Sequence, residues 1–214
     1  MVGAGRVTAY AIGLTGPIGA GKSTVAQMLR ELGAKVLDAD ALVHQEQVRG
    51  TLGYTAIVQR FGTGVLGEDK EIDRKKLAEE VFGDPLKLAQ LERIIHPRVI
   101  ARVLEARAML PEGAILVVEA IKLLESAMRG SYDEIWVVLA PREVMIARLK
   151  ERGMPAVEAE ARLRHQRGEA DFRSAADVVI ENGGDREATR SQVRAAWDAA
   201  CAKAGARSSR GEGT

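Results

Sequence analysis

Gly16, Gly21, Lys22 and Ser23 stand within the stretch AIGLTGPIGAGKST, residues 11–24, as glycine, four residues, glycine, lysine, serine. Glycines open backbone conformations that a Cβ closes, so successive N–H groups can turn inward at phosphate oxygens. Lys22 supplies a point charge for the β- and γ-phosphates of a nucleotide, and the Ser23 hydroxyl can complete a Mg2+ shell. This is the full phosphate-loop pattern rather than a fragment of it. It specifies a phosphoryl donor and leaves the acceptor open between water, another part of a switch protein and a small-molecule hydroxyl.

Other candidates for chemistry lie where apolar runs end. Asp38 and Asp40 alternate in VLDAD, Glu119 closes ILVVE, and Asn182–Gly183 follow DVVIE. In an open parallel sheet, ligands gather beyond the carboxyl ends of the strands, so all of these should border one crevice. An N-cap for the helix ALVHQEQV is an ordinary use of either aspartate. Opposite a phosphate loop, one of the two is also placed to meet an attacking hydroxyl or Mg2+-bound water. A further stretch, residues 146–173, carries Arg148, Arg152, Arg162, Arg164 and Arg167. Two readings stand side by side. The arginines form a solvated helix face paired with Glu158, Glu160 and Glu169, or they form a mobile lid that brings cations to a transferring phosphoryl group and shuts water out.

The elements that must hold these residues alternate along the chain. Tyr10, Ala11, Ile12 and Leu14 make a buried strand before the loop, and Val25, Met28, Leu29 and Leu32 make a helix after it, stopped by Gly33. The runs AKVLDAD (34–40), GAILVVEAI (113–121), EIWVVLA (134–140) and DVVIENGG (177–184) complete five strands, several apolar enough to be buried on both faces. Helices separate them, so an α/β fold follows: a five-stranded parallel sheet with helices on both faces. Its core takes residues 8–45, 113–145 and 174–204. Residues 46–112 carry helical patterns only, with Pro97 expected to kink or restart a long helix. Residues 146–173 form the arginine-rich segment. Residues 205–214 lack apolar anchors and are expected as a loose tail of one single domain.

Composition narrows the classes. The 31 basic and 30 acidic residues of this 214-residue chain nearly cancel, giving no reason to expect nucleic acid or an anionic membrane as partner. No apolar run approaches the ~20 residues of a membrane span, and no signal peptide is read before the first strand. The single cysteine, Cys201, can staple nothing and is expected to serve packing in a late helix, consistent with a reducing cytoplasm.

The chain resembles the dephospho-coenzyme A kinase family from residue 11 to about residue 202. IGLTGPIGAGKSTVA is similar to the family's opening, with Pro17 where glycine is usual, and VLDAD resembles its acid pair. IDRKKLAEEVF and LERIIHPRV look like two stretches of its helical substrate region, ARLKERG followed by Gln166 like its lid, and ADVVIENGG like its adenine-side turn. The resemblance implies a fold like that of the phosphate-loop nucleoside triphosphate hydrolases, with a helical substrate-binding insertion and an arginine-rich lid. It implies transfer of the ATP γ-phosphate to the ribose 3′-hydroxyl of dephospho-coenzyme A. Gly16, Pro17, Ile18, Gly19, Ala20, Gly21, Lys22, Ser23 and Thr24 would hold ATP, together with Arg148, Arg152 and Asn182. Lys22, Asp40 and Arg148 would be catalytic, with Asp40 orienting or deprotonating the hydroxyl. Ser23 would bind Mg2+, with Glu119 reaching it through water. Asp38, Asp40, Arg74, His96 and Lys122 would face the acceptor, although His96 by residue type alone is as well read as a structural histidine.

One stretch departs from the family. In EAIKLLE, Glu119 stands for the usual aspartate, Ile121 for proline and Lys122 for leucine. A lysine there must reach water, a carboxylate such as Glu119 or Glu125, or a phosphate of the acceptor. Two rival functions stay in view: another small-molecule kinase, for a nucleoside, nucleotide or sugar, and a nucleotide-dependent switch or ATPase. Oligomeric state is not legible.

Overall fold

The computed structural model describes residues 9–121, 123–125 and 127–211. These fall into two compact units, one of residues up to 37 and from 107 onward, the other of residues 38–106. The boundary moves the helix after the second strand into the helical unit, eight residues earlier than the composition shift at residue 46.

The first unit is built on β1 (Tyr10–Thr15), β2 (Lys35–Asp38), β3 (Ile115–Glu119), β4 (Glu134–Leu139) and β5 (Val178–Glu181). They form a parallel five-stranded sheet in the order β2-β3-β1-β4-β5. β1 and β4 are buried along their whole length, while β2 and β5 at the edges are not. Alternation along the strands divides the core. Ile12, Leu14, Trp136 and Val138 face Val25, Met28 and Leu29 of α1 (Lys22–Glu31) and Val193 and Ala200 of the last helix. Ile135, Val137 and Leu139 pack on Leu123, Leu124 and Phe172 on the other side. Helices therefore cover both faces, as the near-continuous apolar runs require.

At the opposite ends of the strands, charged groups tie the chain together. Asp133 accepts from the Ala11 N–H at 2.8 Å and from Arg107 Nη2 at 2.6 Å. Arg107 also donates to the carbonyls of Ala9 and Ser131, each at 2.8 Å. Next to it, buried Glu134 takes Trp136 Nε1 at 2.7 Å and the Lys203 ammonium. Burial, together with that carboxylate, pushes the Tyr10 phenol well above its usual range.

The second unit is helical. It holds α2 (Ala39–Glu46), α3 (Leu52–Phe61), α4 (Arg74–Val81) and all but the end of α5 (Pro85–Ala108). Leu42, Ile57, Leu77, Val81, Ile95, Val99 and Val103 supply its buried apolar side chains. Pro97 does not restart the long helix: α5 runs through it. Proline removes one N–H, but Pro97 lies on an exposed stretch where water can satisfy the carbonyl it leaves, and Arg98 Nη1 donates to the next one, Ile94 O.

The arginine-rich segment forms α6 (Arg142–Glu151), α7 (Ala156–Arg164) and α8 (Glu169–Ala175), and α9 (Arg186–Gly211) ends the described chain. The loose tail expected from residue 205 is helical as far as Gly211. Buried Ala204 and the ion pair of Arg207 with Asp133 anchor it, contacts that a hydropathy count does not see. Cys201 is exposed, so it does not serve the core as expected. Among the described residues no helix is long and apolar enough to cross a membrane.

Candidate active site

The phosphate loop leaves β1 after Thr15 and enters α1 at Lys22. Its glycines are fixed by crowding. A Cβ on Gly16 would lie 2.2 Å from Val138 O, and one on Gly21 2.0 Å from Asn182 Nδ2. Gly21 is the N-cap of α1 at φ 96, with no side chain capping the helix and no acid in its first turn. The positive end of the helix dipole is thus kept for an outside anion.

Lys22 is buried, and its Nζ donates to Gly16 O at 2.9 Å and Pro17 O at 3.0 Å. The ammonium therefore lies over the loop, where phosphate oxygens would accept its hydrogen bonds. Beside it, register does the positioning. Leu14 of β1 pairs with Glu119 of β3, which brings the Glu119 carboxylate to the start of α1. Ser23 Oγ donates to Glu119 Oε1 at 3.0 Å. An exposed hydroxyl and a carboxylate make an all-oxygen pair suited to a hard cation that keeps most of its own water. Among the described residues no group of three or more His, Cys, Asp or Glu could hold a metal by itself, so any Mg2+ here depends on substrate oxygens as well.

The loop is held from behind by its carbonyls. Arg148, on α6, donates from Nη1 to Ala20 O at 3.1 Å and from Nη2 to Asn182 O at 2.8 Å. Asn182 Nδ2 donates to the same Ala20 O at 2.7 Å, while its Oδ1 accepts from Thr189 Oγ1 at 3.1 Å. Turning these carbonyls outward leaves the neighbouring N–H groups to face a ligand. Asn182, expected as an ATP contact, thus braces the loop from a buried position and also lines the cleft beside it. Beside it opens a cleft of about 330 Å³, lined among others by Thr24, Glu151, Arg152, Gly184 and Arg186. Sequence reasoning missed Thr189, Glu151 and Arg186, whose place depends on how α6 and α9 pack beside the loop.

The arginines divide. Arg162 pairs with Glu158 at 2.7 Å along α7, an exposed i,i+4 pair of little weight. Arg152 faces the cleft. The segment that carries them is anchored by Met145, Leu149, Leu163 and Phe172, all buried.

In the helical unit the acid pair separates. Asp38 is the N-cap of α2 and accepts from the Ala41 N–H at 3.0 Å. Asp40 sits exposed in the first turn of the same helix. Arg74 Nη1 lies 3.0 Å from His44 Nε2, a histidine the sequence reading passed over. His96 is exposed on α5. Lys122 lies outside the described residues, as does the side chain of Glu125.

Comparison with known proteins gives one family. The family model described as dephospho-CoA kinase matches residues 10–187. The dephospho-CoA kinase of Symbiobacterium thermophilum is 46% identical over 193 residues, covering 89% of this chain and 81% of that protein. That of Aquifex aeolicus is 44% identical over 187 residues, with 87% and 95% covered. Among solved structures, a Thermus thermophilus protein superposes with TM-score 0.79 at 35% identity, covering 89% of this chain and 97% of that one. The dephospho-CoA kinase from Campylobacter jejuni gives 0.66 at 28% identity, covering 88% and 95%. A shikimate kinase from Bacteroides thetaiotaomicron, 16% identical with TM-score 0.51, covers 89% of this chain and 97% of its own and shares the fold alone. A family match over most of its length, on a chain whose phosphate loop is complete and braced, means that the chain belongs to the dephospho-CoA kinase family.

Proposed function

We propose that this protein transfers the γ-phosphate of ATP to the ribose 3′-hydroxyl of dephospho-CoA, giving CoA and ADP, the last step of CoA synthesis. The observation that carries the reading is the Ser23–Glu119 pair at the mouth of an intact phosphate loop, in a chain of this family. The N–H groups at the start of α1 receive the phosphates, and the Lys22 ammonium donates hydrogen bonds to the oxygens of the moving group and stabilises its charge. Ser23, with Glu119 through water, would hold Mg2+, which offsets the charge shared by the β- and γ-phosphates. Arg148 and Asn182 brace the loop and, with Arg152, border the cleft beside it as ATP contacts, Arg148 also serving catalysis by its charge. Asp38 caps a helix, and Asp40 orients or deprotonates the attacking hydroxyl. Asp38, Arg74, His96 and Lys122 are the remaining acceptor-side residues of this reading. Phosphoryl transfer asks little covalent work of the protein, so positioning and charge supply the rate.

A cytoplasmic location fits the single unpaired thiol and the family's small-molecule substrates. ADP release measured with dephospho-CoA, with a panel of nucleosides, nucleotides and sugars, and with no acceptor tests the reading. Turnover confined to dephospho-CoA supports it, and turnover with a member of the panel or with water alone overturns it.

A further inference from the structure

The phosphate loop is gripped at both ends, and only one end has been given a purpose. At the α1 end, Arg148 and Asn182 both donate to its Ala20 carbonyl. At the β1 end the grip is on a donor: the Ile18 N–H donates a hydrogen bond to Gln166 Oε1 at 2.9 Å, across 148 positions of sequence. Pro17 has no N–H, so Ile18 carries the first amide proton after Gly16. The turn that follows is closed by Ala20 N–H on Pro17 O at 3.3 Å. Gln166 therefore holds the entry to that turn. It stands two residues beyond α7, whose Leu163 is buried in the main core, while Arg164 and Arg167 on either side of it are exposed.

We propose that Gln166 is a positioning residue for phosphoryl transfer, its carboxamide fixing the Pro17–Ala20 turn. The inference rests on the kinase reading above. A single neutral hydrogen bond favours the bonded arrangement by roughly two- to tenfold, enough to matter for a loop that must hold its N–H groups still while charge moves. Glutamine suits the task because its oxygen accepts at any pH and brings no charge of its own against the phosphates.

The test uses the full chain and two variants. Gln166→Met keeps length and loses the acceptor; Gln166→Glu keeps an acceptor. Amide exchange at Ile18 in the ligand-free protein reads the tether without any substrate. The account expects faster exchange in Gln166→Met and protection regained in Gln166→Glu. It also expects kcat to fall roughly tenfold in Gln166→Met, more than KM for ATP rises, at an unchanged melting temperature. Unaltered Ile18 exchange in Gln166→Met overturns the proposal, as does a kcat within twofold of the parent. A loss of kcat that only follows a lower melting temperature overturns it too. Failure of the kinase reading looks different: the parent protein would then be inactive toward dephospho-CoA, whatever Ile18 does.

Discussion

Ser23 and Glu119 are 96 positions apart and share a hydrogen bond of 3.0 Å, joining the first turn of α1 to the end of β3. The parallel register of β1 with β3 makes this contact, so the metal site of the proposed reaction is a property of the sheet. Glu119→Gln keeps the shape and loses the charge. At limiting Mg2+, kcat/KM should drop about 10–100-fold and recover in part at high Mg2+. Equal activity across a Mg2+ titration would take Glu119 out of the site.

The two aspartates should behave differently. Asp40→Asn removes a proton acceptor, and kcat should fall about 10²–10⁴-fold with KM for ATP little changed. Asp38→Asn should be mild, since asparagine caps a helix as well as aspartate, whereas Asp38→Ala should cost about 1 kcal/mol of stability. Kinetics and chemical denaturation of the three variants read this directly. A crippled Asp38→Asn beside a near-normal Asp40→Asn would reverse the roles.

The arginine-rich segment should not move as one piece. α6 is held through Met145, Leu149 and the bonds of Arg148 to the loop, so its amides should be protected without ligand. Residues 164–171, mostly exposed, should exchange fast and slow down when ATP and acceptor bind. Hydrogen exchange with and without both substrates decides it. Full protection of 164–171 in the free protein would leave these arginines as surface charge.

Arg107 predicts a stability effect with no kinetic counterpart. Its guanidinium is largely buried between Asp133 and two backbone carbonyls, at the end of the sheet away from the loop. Arg107→Leu should lower unfolding free energy by about 3 kcal/mol, because it strands part of a buried carboxylate. Urea melts should show the loss while KM values at low temperature stay put.

Much of the architecture was legible because its signals are local. Apolar runs of strand length, the glycine spacing of the loop and the Gly33 stop each act through nearby residues, and the five strands came out where read. Strand order, and with it the Leu14–Glu119 register, depends on pairing far along the chain and left no mark in the sequence. The same holds for Asn182. Its type suggested a place beside a crevice, which it lines, but that its amide also braces Ala20 and Thr189 is a choice made by packing. Arg207 anchors α9 through an aspartate 74 positions away, so residues that looked like a tail are helix. Of the acid pair, the sequence allowed either residue to cap, and the φ/ψ of Asp38 at the end of β2 decided it.

The central claim is that phosphate leaves ATP for one hydroxyl of one acceptor. Phosphorus NMR of the products formed from ATP, Mg2+ and dephospho-CoA tests it most directly. The account predicts ADP and, in equal amount, a new phosphomonoester on the ribose 3′-oxygen, with Lys22→Ala slowing both by about 10²-fold or more. Inorganic phosphate in place of that ester, or an ester at another position, would contradict it.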